Sequence, residues 1–404
     1  MTNTKRKQPQ IEINEQFRQA LDLIENSNRN IFITGRAGTG KSTLLDYFRN
    51  ITKKKVAVLA PTGVAALNVK GQTIHSFCRF KPGITPDRVK RLRSGNNKSI
   101  YCELDAIVID EISMVRADLL DCVDRFLRLN GPKADKPFGG IQMAFIGDLY
   151  QLPPVVTGGE KEVFQSLYET PYFYGAGVFD SFAMEFVELE KIYRQHDEQF
   201  ITLLNGIRNN SVTDEDLERL NQRCQPEFEP PLDEFYVYLT TTNRLAEEIN
   251  AKRLAELEGR LYTFTGSIEG EFGQEYLVTK INLEAKVGAQ IMMLNNDIEG
   301  RWVNGSIGKI TGMTQNRKGE DIIVAGLTDG EEVEITPFTW EISRFFVEAG
   351  GLQSEVIGTF TQFPLMLAWA VTIHKGQGKT FDRVIVDIGK GTFAHGQMYV
   401  ALSR

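Results

Sequence analysis

The stretch Ile31-Phe32-Ile33-Thr34-Gly35-Arg36-Ala37-Gly38-Thr39-Gly40-Lys41-Ser42-Thr43 decides the fold class. Residues 31–34 read as a buried strand, the glycines as a turn and residues 41–50 as a helix, which is the context a phosphate-binding loop requires. Glycine lets successive backbone amides turn inward on phosphates, and the helix N-terminus adds partial positive charge. Lys41 then reaches the terminal phosphates and Ser42 ligates magnesium. Gly35, Ala37, Gly38, Thr39, Gly40, Lys41, Ser42 and Thr43 are the expected nucleotide cradle.

Buried strands recur at residues 56–60, 106–110 and 141–146, with helical patterns at 63–69 and 117–129 between them. That rhythm predicts a doubly wound parallel α/β sheet. Asp110-Glu111 closes one such strand, and a carboxylate at a strand's carboxyl end faces the crevice that holds the phosphates. Asp110 is expected to hold magnesium and Glu111 to activate the attacking water. Gln151 follows the 141–146 strand, and its amide suits γ-phosphate sensing because it both donates and accepts. The α/β pattern resumes after Phe186 with a helix through Phe200, Leu204 and Ile207, a capping box at Thr213 and Asp216, and a strand at 235–240. From Gly259 to Phe360 the period becomes two, with hairpin turns at Asn304-Gly305 and Asp329-Gly330, which predicts a small antiparallel barrel. A helix at 365–372 and a strand at 383–387 return to α/β. The expected domains are therefore 1–185, 186–256 together with 361–404, and an inserted barrel at 257–360.

The 404 residues suit two or three domains, and 42% hydrophobic with 25% charged residues suits a folded chain. The most apolar run, 364–373, is half the ~20 residues of a membrane span, and residues 1–10 lack a secretory apolar core despite Lys5, Arg6 and Lys7. An intracellular protein with no membrane segment is expected. Cys78, Cys102, Cys122 and Cys224, and His75, His196, His374 and His395, show no metal-ligand spacing. The net charge of -7 argues against a surface coated in nucleic acid. Residues 79–98 nevertheless carry seven basic side chains against Asp87, so any strand is held in a localised groove.

The set Gly35 to Ser42, Ala60-Pro61-Thr62-Gly63-Val64-Ala65-Ala66, Thr73-Ile74-His75-Ser76-Phe77, Asp110-Glu111-Ile112-Ser113-Met114, Gly147-Asp148 to Pro154, Tyr193-Arg194-Gln195, Thr372-Ile373-His374-Lys375-Gly376-Gln377-Gly378 and Tyr399-Val400-Ala401-Leu402-Ser403-Arg404 resembles the Pif-type (petite integration frequency) DNA helicases of superfamily 1B. The block 119–142 looks like the stretch that separates this family from RecD-type relatives. The resemblance implies two RecA-like domains, an SH3-like barrel inserted in the second, and an ATP- and Mg2+-dependent motor moving 5′ to 3′ on single-stranded DNA.

It also implies roles. Gln16 would read adenine, Arg194 and Arg404 would deliver cations to the γ-phosphate, and Gly378 would border the nucleotide. Thr62, Gly63, Val64, His75, Ser76, Thr241, Asn243, His374 and Lys375 would line the single-strand groove. His75 and Phe77 would form a wedge within residues 64–77, although Phe77 and Phe80 also fit a core. Trp302, Trp340 and Trp369 read as core residues. Single-stranded and forked or partial-duplex DNA are the expected partners of a monomer, in the cytoplasm or nucleoid of a bacterium or the nucleus of a eukaryote. Relatives continue through another strand and helix, so a chain longer than 404 residues is expected. A RecD-type or relaxase-type helicase is the alternative among enzymes. A GTPase-like switch lacks its guanine-reading motif, since Asn97-Lys98-Ser99 is followed by Ile100.

Overall fold

The computed structural model describes residues 12–81, 83–92, 98–156, 161–195, 197–231, 234–348, 351–389, 391–392 and 394–404. Lys5, Arg6, Lys7, Arg93 and His196 lie outside the described residues.

The first sheet has six parallel strands, β1 (Ile31–Gly35), β2 (Val56–Ala60), β3 (Gln72–Thr73), β4 (Ala106–Ile109), β5 (Gln142–Ile146) and β6 (Glu185–Leu189), in the order β3-β2-β4-β5-β1-β6. Its helices are α1 (Glu15–Asn26), α2 (Lys41–Ile51), α3 (Gly63–Asn68), α4 (Ile74–Cys78), α5 (Lys98–Glu103), α6 (Ala117–Asn130) and α7 (Lys161–Leu167). Successive strand residues point to opposite faces. Ile31 and Ile33 pack with Ile24, Leu44 and Phe48 of α1 and α2, while Phe32 packs with Val123 and Phe126 of α6. Both faces are covered, so β1, β4 and β5 are buried along their whole length and read as unbroken apolar runs.

The expected boundary at 185/186 shifts. β6 pairs with β1 from Ile31↔Glu185 to Gly35↔Leu189, so residues 185–189 complete the first sheet. As an edge strand it carries Glu185 and Glu188 and exposes Phe186, which breaks the apolar run that marks a central strand.

The second α/β unit contains α8 (Glu198–Asn209), α9 (Asp214–Asn221), β7 (Val237–Thr240) and α10 (Asn243–Glu256). Thr213 and Asp216 make both bonds of a capping box at the start of α9. The chain then passes through β8 (Tyr262–Thr265), β9 (Ser267–Gly270), β10 (Asn282–Ala285), β11 (Gln290–Met293), β12 (Ile307–Gln315), β13 (Asp321–Leu327), β14 (Glu332–Ile335), β15 (Phe338–Glu348), β16 (Gly351–Gln362) and β17 (Leu365–Leu367). It returns as β18 (Ala370–Thr372), β19 (Val384–Asp387) and α11 (Gln397–Leu402), and β18 and β19 flank β7 in a parallel sheet.

Two expectations are corrected here. Residues 365–372 are two strands rather than a helix, because Leu365–Leu367 pairs with β11 and Ala370–Thr372 pairs with β7. Three-residue strands show no period of their own, so long-range pairing decides. Residues 257–360 do not form one barrel sheet. They divide among β14-β13-β12-β11, which β17 extends, the pair β10-β8, and the ribbon β15-β16-β9. The ribbon packs elsewhere: Trp340, Ile342 and Phe360 join the cluster that holds Ala66 and Val69 of the first unit. Trp302 is buried in the core of the insert, and Trp369 packs against it.

Candidate nucleotide and strand-binding site

β1 delivers its carboxyl end into the glycine loop, and Gly38 and Gly40 take φ of 79° and 89° there, a region that glycine enters without steric cost. Gly40 is the N-cap of α2, so the loop's amides and the helix terminus converge. The Lys41 Nζ donates to the carbonyls of Gly35 and Arg36 at 2.6 and 3.0 Å. Burial holds its ammonium below the ordinary lysine value, against the pull of Asp148, Glu111 and Asp110. Ser42 and Thr43 are exposed on the first turn of α2.

The second unit closes over this loop. A Cβ on Gly38 would lie 2.5 Å from the Arg194 Cβ, so the arginine segment rests directly on the loop. Arg194 donates to the carbonyls of Ser403 and Gly378 at 3.3 and 3.0 Å. Arg404 is buried and donates its Nε to the Val400 carbonyl at 2.8 Å. Burial and the adjacent Arg194 push its guanidinium down to about 9, which leaves it protonated at neutral pH. Tyr399, quoted in the Tyr399–Arg404 motif but given no role there, accepts from the Ala37 amide at 3.2 Å. Gln16 donates to Glu190 at 3.2 Å beside the same linker.

Opposite the cations stand carboxylates. Asp110 and Glu111 follow β4; burial and the neighbouring Glu111 raise the Asp110 carboxyl to about 7, and burial raises Glu111. Two adjacent carboxylates with raised values would be relieved by a cation bound beside them, and hard oxygen donors suit magnesium. Among the described residues no three His, Cys, Asp or Glu side chains are grouped to hold a metal by themselves. Gln151 is buried and donates to Asp148 at 3.1 Å. Arg208 of α8, also not singled out in the sequence, reaches across to Asp148 at 3.4 Å and lies 4.1 Å over the Tyr150 ring. A lone arginine inside an amphipathic helix gives no sequence signal of such a reach.

The expected strand-binding residues sit at the carboxyl ends of parallel strands in both units. Thr62 follows β2 and caps α3, accepting from Ala65 N–H at 3.2 Å. Val64 is partly buried in α3, and Gly63 packs under Gln274–Tyr276, where a Cβ would meet the Glu275 carbonyl oxygen at 2.2 Å. His75 is partly buried and Ser76 exposed on α4. Phe77 takes the core position that is its alternative reading: it is buried edge-on against Tyr101, 5.2 Å between centroids, and its carbonyl accepts from the Tyr101 hydroxyl. Phe80 packs on Phe126. Thr241 is buried after β7, and Asn243 is exposed at the start of α10. His374 is partly buried and Lys375 exposed after β18. Burial lowers both His75 and His374, so each is neutral at pH 7 and offers a ring N–H rather than a charge.

Two RecA-like α/β units facing each other across a glycine loop, with cations from one and carboxylates from the other, define a P-loop NTPase. Residues 10–218 match the PIF1-like helicase family model. The ATP-dependent DNA helicase Pif1 of Bdellovibrio bacteriovorus is 31% identical over 98% of this chain and 86% of its own. The Bacteroides Pif1 structure in complex with ADP-AlF4 superposes with a TM-score of 0.90 at 37% identity, over 98% of this chain and 90% of that one. The same helicase bound to single-stranded DNA superposes at 0.67 over equal shares. The chain belongs to the PIF1-like helicase family. It spans about three fifths of the length of the fungal and human relatives it also matches.

Proposed function

We propose that this chain is an ATP- and Mg2+-dependent DNA helicase that moves 5′ to 3′ along single-stranded DNA and separates forked or partial duplexes. The observation that carries this reading is electrostatic. Lys41 and Arg194 stand at the glycine loop and Arg404 beside Arg194 and Glu111, all three held below their ordinary values by burial, while Asp110 and Glu111 are raised. Such a site is stabilised by a polyphosphate with its magnesium.

Ser42 and Asp110 would hold the magnesium, which supplies charge neutralisation at the phosphates. Glu111 takes the proton of the attacking water, and Gln151 orients that water against the γ-phosphate. Arg194 and Arg404 stabilise charge developing in the transition state. Gln16 contacts the adenine edge, and Gly378 borders the nucleotide. Thr62, Gly63, Val64, His75 and Ser76 grip a strand from the first unit, and Thr241, Asn243, His374 and Lys375 grip it from the second. These groups contact phosphate and sugar without reading bases. Opening and closing of the cleft alters the distance between the two grips, which makes turnover into stepping. The parts are a first domain ending at Leu189, a second domain, and an insert between α10 and β18. The chain would act as a monomer wherever the cell keeps its DNA; among the described residues no helix is long and apolar enough to cross a membrane.

Unwinding of duplexes with a 5′ or a 3′ single-stranded tail tests the reading. ATP-dependent unwinding of the 5′-tailed substrate alone is expected. Unwinding of the 3′-tailed one would overturn the polarity, and unwinding of neither would overturn the helicase assignment.

A further inference from the structure

One side-chain amide spans the cleft. Gln377, in the turn after β18, donates one Nε2 proton to Glu111 Oε2 at 3.0 Å and the other to Gln151 Oε1 at 3.2 Å. Both protons of the amide are thus spent on the two residues that must address the attacking water. Gln151 is bound on its other side to Asp148, and Asp148 to Arg208 of the second unit. Glu111 itself has φ 52° and ψ 41°, a left-handed conformation that non-glycine residues hold at a cost and that local contacts must maintain.

The turn carrying Gln377 is internally tied. Gly376 N–H donates to the Thr372 carbonyl at 2.9 Å, Gln377 N–H to the His374 carbonyl at 3.1 Å, and Lys375 N–H to the Thr372 hydroxyl at 3.3 Å. A push on His374 or Lys375 therefore moves Gln377 with them. A displacement of roughly 1 Å carries a 3.0 Å contact beyond hydrogen-bond range.

We propose that Gln377 is a positioning residue that occupies Glu111 and Gln151 until a strand seated on the turn 374–378 draws it away. This inference rests on the helicase reading and on Glu111 as base. A carboxylate oxygen accepting an amide proton is a poorer acceptor for a water proton and is aimed at the wrong partner. Release by the strand then makes hydrolysis conditional on DNA, through a single contact between the DNA-gripping turn and the base.

The test is ATP turnover of the full chain, without DNA and at saturating oligothymidylate, for the wild type and Gln377→Leu. The leucine keeps the bulk of the side chain and removes both protons. The DNA-free kcat should rise by roughly tenfold, the scale of one hydrogen bond to a charged group, while the KM for ATP and the melting temperature stay close to wild type. The stimulation ratio should fall by the same factor. Damage to the fold lowers turnover, so a gain separates positioning from packing. Gln377→Asn, too short to reach, should give the same gain should the leucine variant fold poorly. An unchanged or lower DNA-free rate in a folded variant, beside a wild type that DNA stimulates, overturns the inference and spares the helicase reading. A wild type that DNA does not stimulate overturns both.

Discussion

Gly38 lies directly beneath Arg194: a Cβ at position 38 would stand 2.5 Å from the Arg194 Cβ, and Tyr193 N–H donates to the Gly38 carbonyl at 2.9 Å. The glycine that shapes the phosphate loop is thus also the seat of the arginine segment. Gly38→Ala meets a φ of 79° and a backbone-proximal clash together, so it should cost about 1–3 kcal/mol of stability and lower ATP turnover at least tenfold. A thermal melt and a turnover assay check this, and a variant with wild-type turnover would remove Arg194 from the site.

Glu111→Gln keeps the shape of the proposed base and removes its ability to take a proton. Nucleotide and DNA binding should persist while hydrolysis falls by ~10² to 10⁴. Lys41→Ala should differ, losing nucleotide affinity along with turnover, because in the proposed role the ammonium would contact phosphate in the ground state and the transition state alike. Equilibrium binding of a non-hydrolysable analogue distinguishes the two variants; equal binding losses in both would contradict these roles.

Arg404→Ala should lower turnover by ~10³ to 10⁵ if its guanidinium meets developing charge. The variant also relieves repulsion from Arg194, which together with burial lowers the Arg404 guanidinium. It should therefore fold with little loss of stability. Full turnover in the alanine variant would sink the finger assignment.

Phe77→Ala is expected to destabilise the chain by about 3–5 kcal/mol, the cost of emptying a buried aromatic site. Phe77→Leu should retain most stability and unwind duplex normally. Should the leucine variant stay folded and lose strand separation, Phe77 acts on DNA despite its burial.

The phosphate loop was legible because its chemistry demands particular residues at fixed spacing beside a strand and a helix. Asp110 and Gln151 followed from strand ends, since a parallel sheet aims its carboxyl edge at one crevice. Elements whose identity depends on distant partners were not legible. Leu365–Leu367 and Ala370–Thr372 are strands because β11 and β7 receive them. The period of two across 259–360 does not show that the ribbon β15-β16-β9 packs apart from the other insert strands, with Trp340 and Phe360 in the cluster of Ala66 and Val69. Tyr399 and Gln377 lie inside quoted motifs and Arg208 in none, but their contacts join residues 362, 266 and 60 positions apart, and no local pattern encodes such pairings.

The central claim is that one cleft couples nucleotide and strand, and ATP turnover of the wild-type chain with and without single-stranded DNA tests it most directly, with His374→Ala measured alongside. Bound strand should favour the closed cleft and raise turnover several-fold or more, the range in which coupled sites operate. His374→Ala should reduce that stimulation more than the DNA-free rate and flatten the salt dependence of strand binding. Identical turnover with and without DNA in a chain that still binds both ligands would contradict the account.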